Sequence, residues 1–223
     1  MSKKVFITAT GTDIGKTYVS ALILKKMKEE GLNCGYFKPV LSGVIEQNGV
    51  LIESDCNYVV NTAKLNVSAN DCVTYWWKEA VSPHLAAKRQ NTEIDINNIK
   101  KEFKKKSEDF DYLLVEGAGG ITCPLRVDNG EKYLLKDLIK DLDCSIIIVA
   151  DAGLGTINSV ILTVEYAKLN NIPIQGIILN NFEPDNFMHQ DNLKQIEYLT
   201  NTKVIATVEK GAKDIILLDK YFV

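Results

Sequence analysis

The sequence predicts a doubly wound α/β architecture: a mostly parallel sheet with helices on both faces, built by residues 1–223 as one domain. Three observations carry this. Runs of β-branched apolar residues alternate with stretches of helical periodicity along the chain. The strand-like runs are continuously apolar rather than alternating, which fits strands buried on both faces under two helical layers. No internal repeat and no linker rich in Pro, Ser or Gly divides the chain.

Taken in order, "KVFITAT" (4–10) is a buried strand, and 16–30 is a helix whose Val19, Leu22, Ile23 and Met27 keep helical spacing. "NCGYFKPV" (33–40) is a second strand, which Lys38-Pro39 should end because proline has no N–H for the ladder. A less regular region follows. Then come a helix around 95–107, "YLLVEGAGG" (112–120), a helix near 133–141, "SIIIVADAG" (145–153) and a helix over 156–169. The strand "IQGIILNNF" (174–182), a helix over 186–200 and the strand "KVIATV" (203–208) complete the pattern.

Composition narrows the function. Hydrophobic residues make up 46% and charged residues 25%, a globular balance. The net charge of -3 argues against a general nucleic-acid binder, which needs a basic face. Cys34, Cys56, Cys72, Cys123 and Cys144 lie far apart with no C-x-x-C pair, the usage of reduced thiols rather than of a disulfide framework or zinc site. The opening "MSKKVFITAT" runs straight into a strand, without signal-peptide pattern, and no apolar run is long enough to span a bilayer. A cytoplasmic location, with no membrane partner, is the expectation.

Chemistry gathers where strands of an open parallel sheet bind ligands, at their carboxyl ends. The first strand ends in "TGTDIGKT", the second in Lys38, "YLLVE" in Glu116 and "GAGG", "SIIIVAD" in Asp151 and "AGLGT", and the next in Asn180-Asn181. The loop is a near miss to G-x-x-x-x-G-K-[ST], with Thr10 in place of the first glycine. Gly11 and Gly15 let backbone amides turn toward a phosphate, and the following helix adds the positive end of its dipole. Lys16 would bridge terminal phosphates and Thr17 would ligate Mg²⁺. The plain alternative is a capped helix start using Thr12 or Asp13. Mg²⁺ needs carboxylates as well: Glu116, an acid ending a buried strand, is the first candidate, and Asp55 in "ESDCN" the second, although an acid at a helix start is often a cap. Lys38 either snorkels to the surface or joins Lys16 at the site.

The segments "TATGTDIGKT", "GYFKPVLSG", "ESDC", "SPHLAA", "LLVEGAGG" and "GLGTIN" resemble, in this order, the dethiobiotin synthetase family, with the match strongest over residues 3–180. The resemblance implies a P-loop NTPase-like fold. It implies ATP-dependent closure of 7,8-diaminononanoate (7,8-diaminopelargonate) with CO₂ to dethiobiotin, by way of a carbamate and a carbamic–phosphoric anhydride. It also implies a cofactor, Mg²⁺, held by Thr17, Asp55 and Glu116, and catalytic lysines at Lys16 and Lys38. Thr12, Asp13, Ile14, Gly15, Lys16 and Thr17 would cradle the nucleotide together with Gly117, Ala118 and Gly119. Asn180 resembles the adenine-reading residue, and Asn181 stands where an aspartate is common. Ser42, Ser82 and Pro83 would contact the diamine. Gly155, Thr156, Ile157 and Asn158 would hold its carboxylate from the neighbouring subunit, which implies a homodimer.

Departures from the family pattern are Ala9 for a glycine, Ala80 for a proline and "VEKG" (208–211) without the proline of the purine loop. His84 reads as pocket or packing, and Trp76-Trp77 as core or dimer contact. The rival within the same fold is a partition- or division-site-type switch ATPase. Those carry a second lysine in the loop where this chain has Gly11, and often a basic face or amphipathic tail; "DIILLDKYFV" at the C-terminus has no lysine-rich face and reads as packed. Relatives of the cobyrinate amidation type need an added domain with a catalytic Cys and His, for which the chain is too short.

Overall fold

A computed structural model describes residues 2–128 and 130–216. In chain order its strands are β1 (Lys3–Ala9), β2 (Cys34–Ser42), β3 (Ile45–Gln47), β4 (Val50–Glu53), β5 (Val73–Trp77) and β6 (Tyr112–Glu116). Then come β7 (Pro124–Asp128), β8 (Glu131–Leu134), β9 (Ser145–Asp151), β10 (Ile174–Asn180) and β11 (Val204–Val208). The helices are α1 (Lys16–Glu29), α2 (Asp55–Ala63), α3 (Pro83–Arg89), α4 (Ile96–Asp109), α5 (Leu135–Asp141), α6 (Thr156–Leu169) and α7 (Phe187–Thr200).

Seven strands form one parallel sheet in the order β11-β10-β9-β1-β6-β2-β5. The pleat sends alternate apolar side chains to opposite faces, and both faces are covered. Phe6, Ile146, Ile148 and Ala150 pack with α3, α4, α5, α6 and α7 on one side. Val5, Ile7, Ala9, Ile147 and Val149 pack with α1 and α2 on the other. The continuous apolar runs therefore mean what they suggested. Two small antiparallel hairpins, β3-β4 and β7-β8, stand outside this sheet. No helix among the described residues is long and apolar enough to cross a membrane.

Pro39 does not end the second strand. β2 pairs with β6 only from Cys34 to Phe37, and then with β5 from Lys38 to Ser42. The strand passes its proline by changing neighbour, so the missing N–H falls where the ladder to β6 has already stopped. That extension places Ser42 at the same sheet edge as Lys38. The less regular region resolves into the β3-β4 hairpin, α2, a 3-10 turn at Asn70–Cys72, β5 and α3. Its strands are short and partly exposed, which is why their period did not register. Trp77 is buried in the core with its indole N–H donating to Thr92 Oγ1 (2.8 Å), and Trp76 packs against the α1–α2 side. Both act in packing. Of the C-terminal segment, Ile215 is buried in the α1–α2 core, while residues 217–223 lie outside the described residues.

Candidate active site

Helices α2, α4 and α7 are capped by side chains. Ser54 accepts from the Asn57 N–H (3.1 Å) at α2, Asp95 from Asn97 (2.9 Å) at α4, and Asn186 from Met188 (3.0 Å) at α7. Helix α1 begins differently: Gly15 takes a left-handed φ of 95° and no side chain caps the first turn. Neither Thr12 nor Asp13 is a cap, so the plain reading of the loop fails and its amides are left for an anion. Glycine is required at 15 for a second reason: a Cβ there would lie 2.2 Å from Asn180 Nδ2. Asn180 reaches under the loop and donates to the Ile14 carbonyl (2.9 Å), while its own Oδ1 is buried without a partner.

Below the loop the parallel register brings the charges together. Ile7 pairs with Glu116, and Phe37 with Val115, so Glu116 ends β6 beside Lys38, where the ladder between β2 and β6 stops. Lys38 Nζ lies 2.6 Å from Glu116 Oε1 and 2.6 Å from Asp55 Oδ2. Lys38 is 2% exposed and Glu116 is fully buried. Snorkelling and capping are thereby ruled out for these two. Thr17 Oγ1 donates to Glu116 Oε1 (2.7 Å), and the Tyr36 hydroxyl donates to Glu116 Oε2 (2.9 Å). Asp55 is the first residue of α2 but not its cap, which is Ser54.

Each environment moves a titration. Burial works to lower the Lys38 pKa, but Glu116 and Asp55 outweigh it and hold the ammonium well above the ordinary lysine value. Burial also lowers Lys16, and here Lys38 adds to the effect, so Lys16 falls below the ordinary value. For Asp55, burial acts upward, but Lys38 prevails and keeps the carboxyl below its usual range. Burial against Glu116 raises Tyr36, which keeps its proton and so remains a donor.

The cleft above this cluster has a volume of about 820 Å³. It runs from Thr12, Asp13, Gly15, Lys16 and Thr17, past Lys38 and Asp55, to Ser42, Ser82 and Pro83, with Gly117, Ala118 and Gly119 on one wall. Ser82 starts α3 without a hydrogen bond from its side chain to the helix, leaving the hydroxyl available. Thr17, Asp55 and Glu116 collect one hydroxyl and two carboxylates around the Lys38 ammonium; hard oxygen donors of this kind fit Mg²⁺. No group of three or more His, Cys, Asp or Glu suited to a metal occurs among the described residues, so a metal here relies on the hydroxyl and on phosphate or water oxygens.

Other predicted residues lie elsewhere. Gly155, Thr156, Ile157 and Asn158 open α6 and do not line this cleft. Gly155 has φ 90°, no side chain caps the helix, and the Thr156 hydroxyl is buried without a partner. Asn181 donates to Asp151 Oδ2 (2.7 Å). The aspartate common in the resembled family would instead set two carboxylates against each other here. Ala9 points its methyl into the α1–α2 core rather than at the loop, which is why the exchange from glycine is tolerated. Ala80 lines the cleft. His84 lines a separate pocket between α3 and β7. The sequence reading missed Tyr36, although the period of two along β2 places it on the same face as Lys38. It also missed Tyr18, Tyr58 and Cys123 in the cleft lining, for which no motif spoke.

An uncapped glycine loop, a following Lys-Thr and a buried acid on the neighbouring strand define the class: a P-loop nucleotide-binding α/β protein. Among solved structures, a chain of the MinC:MinD cell division protein complex of Aquifex aeolicus matches 95% of this chain and 83% of its own at TM-score 0.56 and 15% identity. A ParA family ATPase from Chlorobium tepidum matches 94% and 84% at TM-score 0.54 and 14% identity. Likeness at that identity concerns the fold. An AAA domain family model matches residues 3–213. The ATP-dependent dethiobiotin synthetase BioD of Brachyspira hyodysenteriae is 50% identical over 211 residues, covering 95% of this chain and 94% of that protein. The Clostridium botulinum protein of the same name is 48% identical over 215 residues, 96% and 94% of the two chains. The chain belongs to the dethiobiotin synthetase family.

Proposed function

We propose that this chain, acting in the cytoplasm as one domain, converts 7,8-diaminononanoate, CO₂ and ATP to dethiobiotin, ADP and phosphate. One amine of the diamine attacks CO₂ and loses a proton, giving a carbamate. A carbamate oxygen attacks the γ-phosphorus of ATP and ADP leaves, forming a carbamic–phosphoric anhydride. The second amine attacks the carbonyl carbon, phosphate leaves, a proton is lost, and the cyclic urea closes.

The observation that carries the proposal is the buried Lys38, held by Glu116 and Asp55 between the phosphate loop and the far end of the cleft. Two anions must come within bonding distance in the phosphoryl-transfer step, and a fixed, desolvated cation at their meeting point opposes that repulsion. Lys16 sits on the phosphate side, with the amides of Thr12 to Thr17 facing the phosphates. Mg²⁺, held by Thr17, Asp55 and Glu116, would neutralise phosphate charge. Ser42 and Ser82 offer hydroxyls to the diamine and its carbamate, beside Pro83. Asn180, with its free Oδ1, is suited to accept from the adenine amino group, and Asn181 lies beside it.

The carboxylate of the diamine goes to Gly155–Asn158 of a second subunit in a homodimer. Two features support this: the start of α6, which no side chain caps, and the position of these residues outside their own chain's cleft, next to a Leu154 that is 93% exposed. The test is ADP release with and without diamine and bicarbonate, alongside mass analysis of the product from ¹³C-bicarbonate. ADP release should depend on both substrates, with one label in the cyclic urea. Equal ATP hydrolysis without the diamine, and no labelled product, would favour the switch ATPase instead.

A further inference from the structure

The turns after β9 and β10 leave adjacent strands at the carboxyl edge of the sheet, where Asp151 pairs in register with Asn180. Asp151 Oδ1 accepts the Gly153 N–H (2.8 Å), and its Oδ2 accepts from Asn181 Nδ2 (2.7 Å). Asn181 itself holds a left-handed φ of 55°, which asparagine tolerates better than most side chains. From the other side Asn192, buried on α7, donates to the Ala152 carbonyl (2.8 Å) and the Gly153 carbonyl (3.2 Å). Both backbone groups of Gly153 are thus held by side chains, two residues before the glycine that opens α6. The approach is close: a Cβ on Gly153 would lie 2.9 Å from Asp151 Oδ1.

An acid beside a helix start that is to receive a carboxylate needs an explanation. Asp151 forms no ion pair among the described residues, and both of its oxygens are engaged by neutral donors. It acts through the turn. We propose that Asp151 and Asn181 are a positioning pair: the Asn181 amide orients the Asp151 carboxylate, which fixes the Gly153–Gly155 turn and hence the free amides of α6 in the pose that takes the substrate carboxylate. This rests on the proposed diamine reaction.

The pair has a polarity that can be reversed. In Asp151→Asn the new amide still offers an oxygen to Gly153, and Asn181 can turn its own amide to restore the second bond, so kinetics should stay within about threefold of wild type. In Asn181→Asp neither partner can donate, and two carboxylates face each other. The KM for the diamine should rise about tenfold or more, with a smaller change in the KM for ATP because the Asn180 bond to Ile14 is independent. Asp151→Asn combined with Asn181→Asp rebuilds the bond with donor and acceptor exchanged, and should bring the diamine KM back to within about threefold. A diamine KM in Asn181→Asp within about twofold of wild type, or a double variant as impaired as Asn181→Asp alone, overturns the pair. Should Asn181→Asp not fold, Asp151→Ala removes both acceptors without adding charge, and carries the same expected rise and the same overturning result. Absence of product from the wild-type enzyme would instead overturn the diamine reaction itself.

Discussion

Helices α1 and α6 begin alike and are surrounded differently. Both start at a left-handed glycine, Gly15 at φ 95° and Gly155 at φ 90°, and neither is capped by a side chain, whereas α2, α4 and α7 are. Around α1 the chain gathers Lys16, Lys38, Asp55 and Glu116 in a mostly buried cluster at the cleft. Around α6 the donors are neutral: Asn181, Asn192, the Gly153 backbone and the unpartnered Thr156 hydroxyl. On the proposed reaction, the difference teaches how one anion-binding device would serve two tasks. Where charge builds up during a reaction, full charges must be desolvated and fixed beforehand. Where a carboxylate only needs holding, backbone amides and the helix dipole are enough.

The sharpest break in this comparison is Lys38→Gln, which keeps length and a donor but removes the charge. Dethiobiotin formation should fall about 10³-fold while ATP affinity persists through the loop, because the lost interaction strengthens as the two anions meet. Product yield by mass spectrometry and nucleotide affinity by calorimetry measure the two; a wild-type yield would detach Lys38 from the chemistry. Lys16→Ala should cost about 10²-fold in turnover, as for one lost donor to developing phosphate charge, and unchanged turnover in a folded variant would remove the loop from catalysis.

The α6 side should respond more mildly. Asn158→Asp sets a like charge beside the substrate carboxylate and should raise the diamine KM several-fold, about 3- to 10-fold, with the KM for ATP little changed. Re-equilibrated mixtures of Lys16→Ala and Asn158→Asp chains should regain activity, since one of the two sites in a mixed dimer has both parts intact. No recovery would mean that each chain completes its own site.

The smallest effect concerns acid stability. Asp55 is held below its ordinary value of 3.8, mainly by Lys38, so it stabilises the folded state above that value and loses the contribution as pH falls through its lower folded value. Its side chain is 40% exposed, so solvent screening limits the contribution to about 1 kcal/mol or less. Below about pH 4 the urea midpoint of the wild type should fall more steeply than that of Asp55→Asn. Parallel curves would show that the pair adds nothing to folding.

Sequence by itself determined the wound sheet, because strands buried on both faces carry near-continuous apolar runs, and residues 5–7 in β1, 146–150 in β9 and 177–179 in β10 are such runs. It also pointed to the glycine loop, Lys38 and Glu116, since a charge within or at the end of a buried apolar strand needs a partner or a task. Tertiary structure decided the rest. Strand register set Lys38 between Glu116 and Asp55, residues up to 78 positions apart in the chain. The change of partner along β2 carried the strand through Pro39 to Ser42, against the local rule for proline. Tyr36 and the bond from Asn181 to Asp151 emerged only in three dimensions. Local pattern reports which face of an element is buried, but which side chains meet there depends on pairings between distant segments, and those are fixed by packing of the whole sheet.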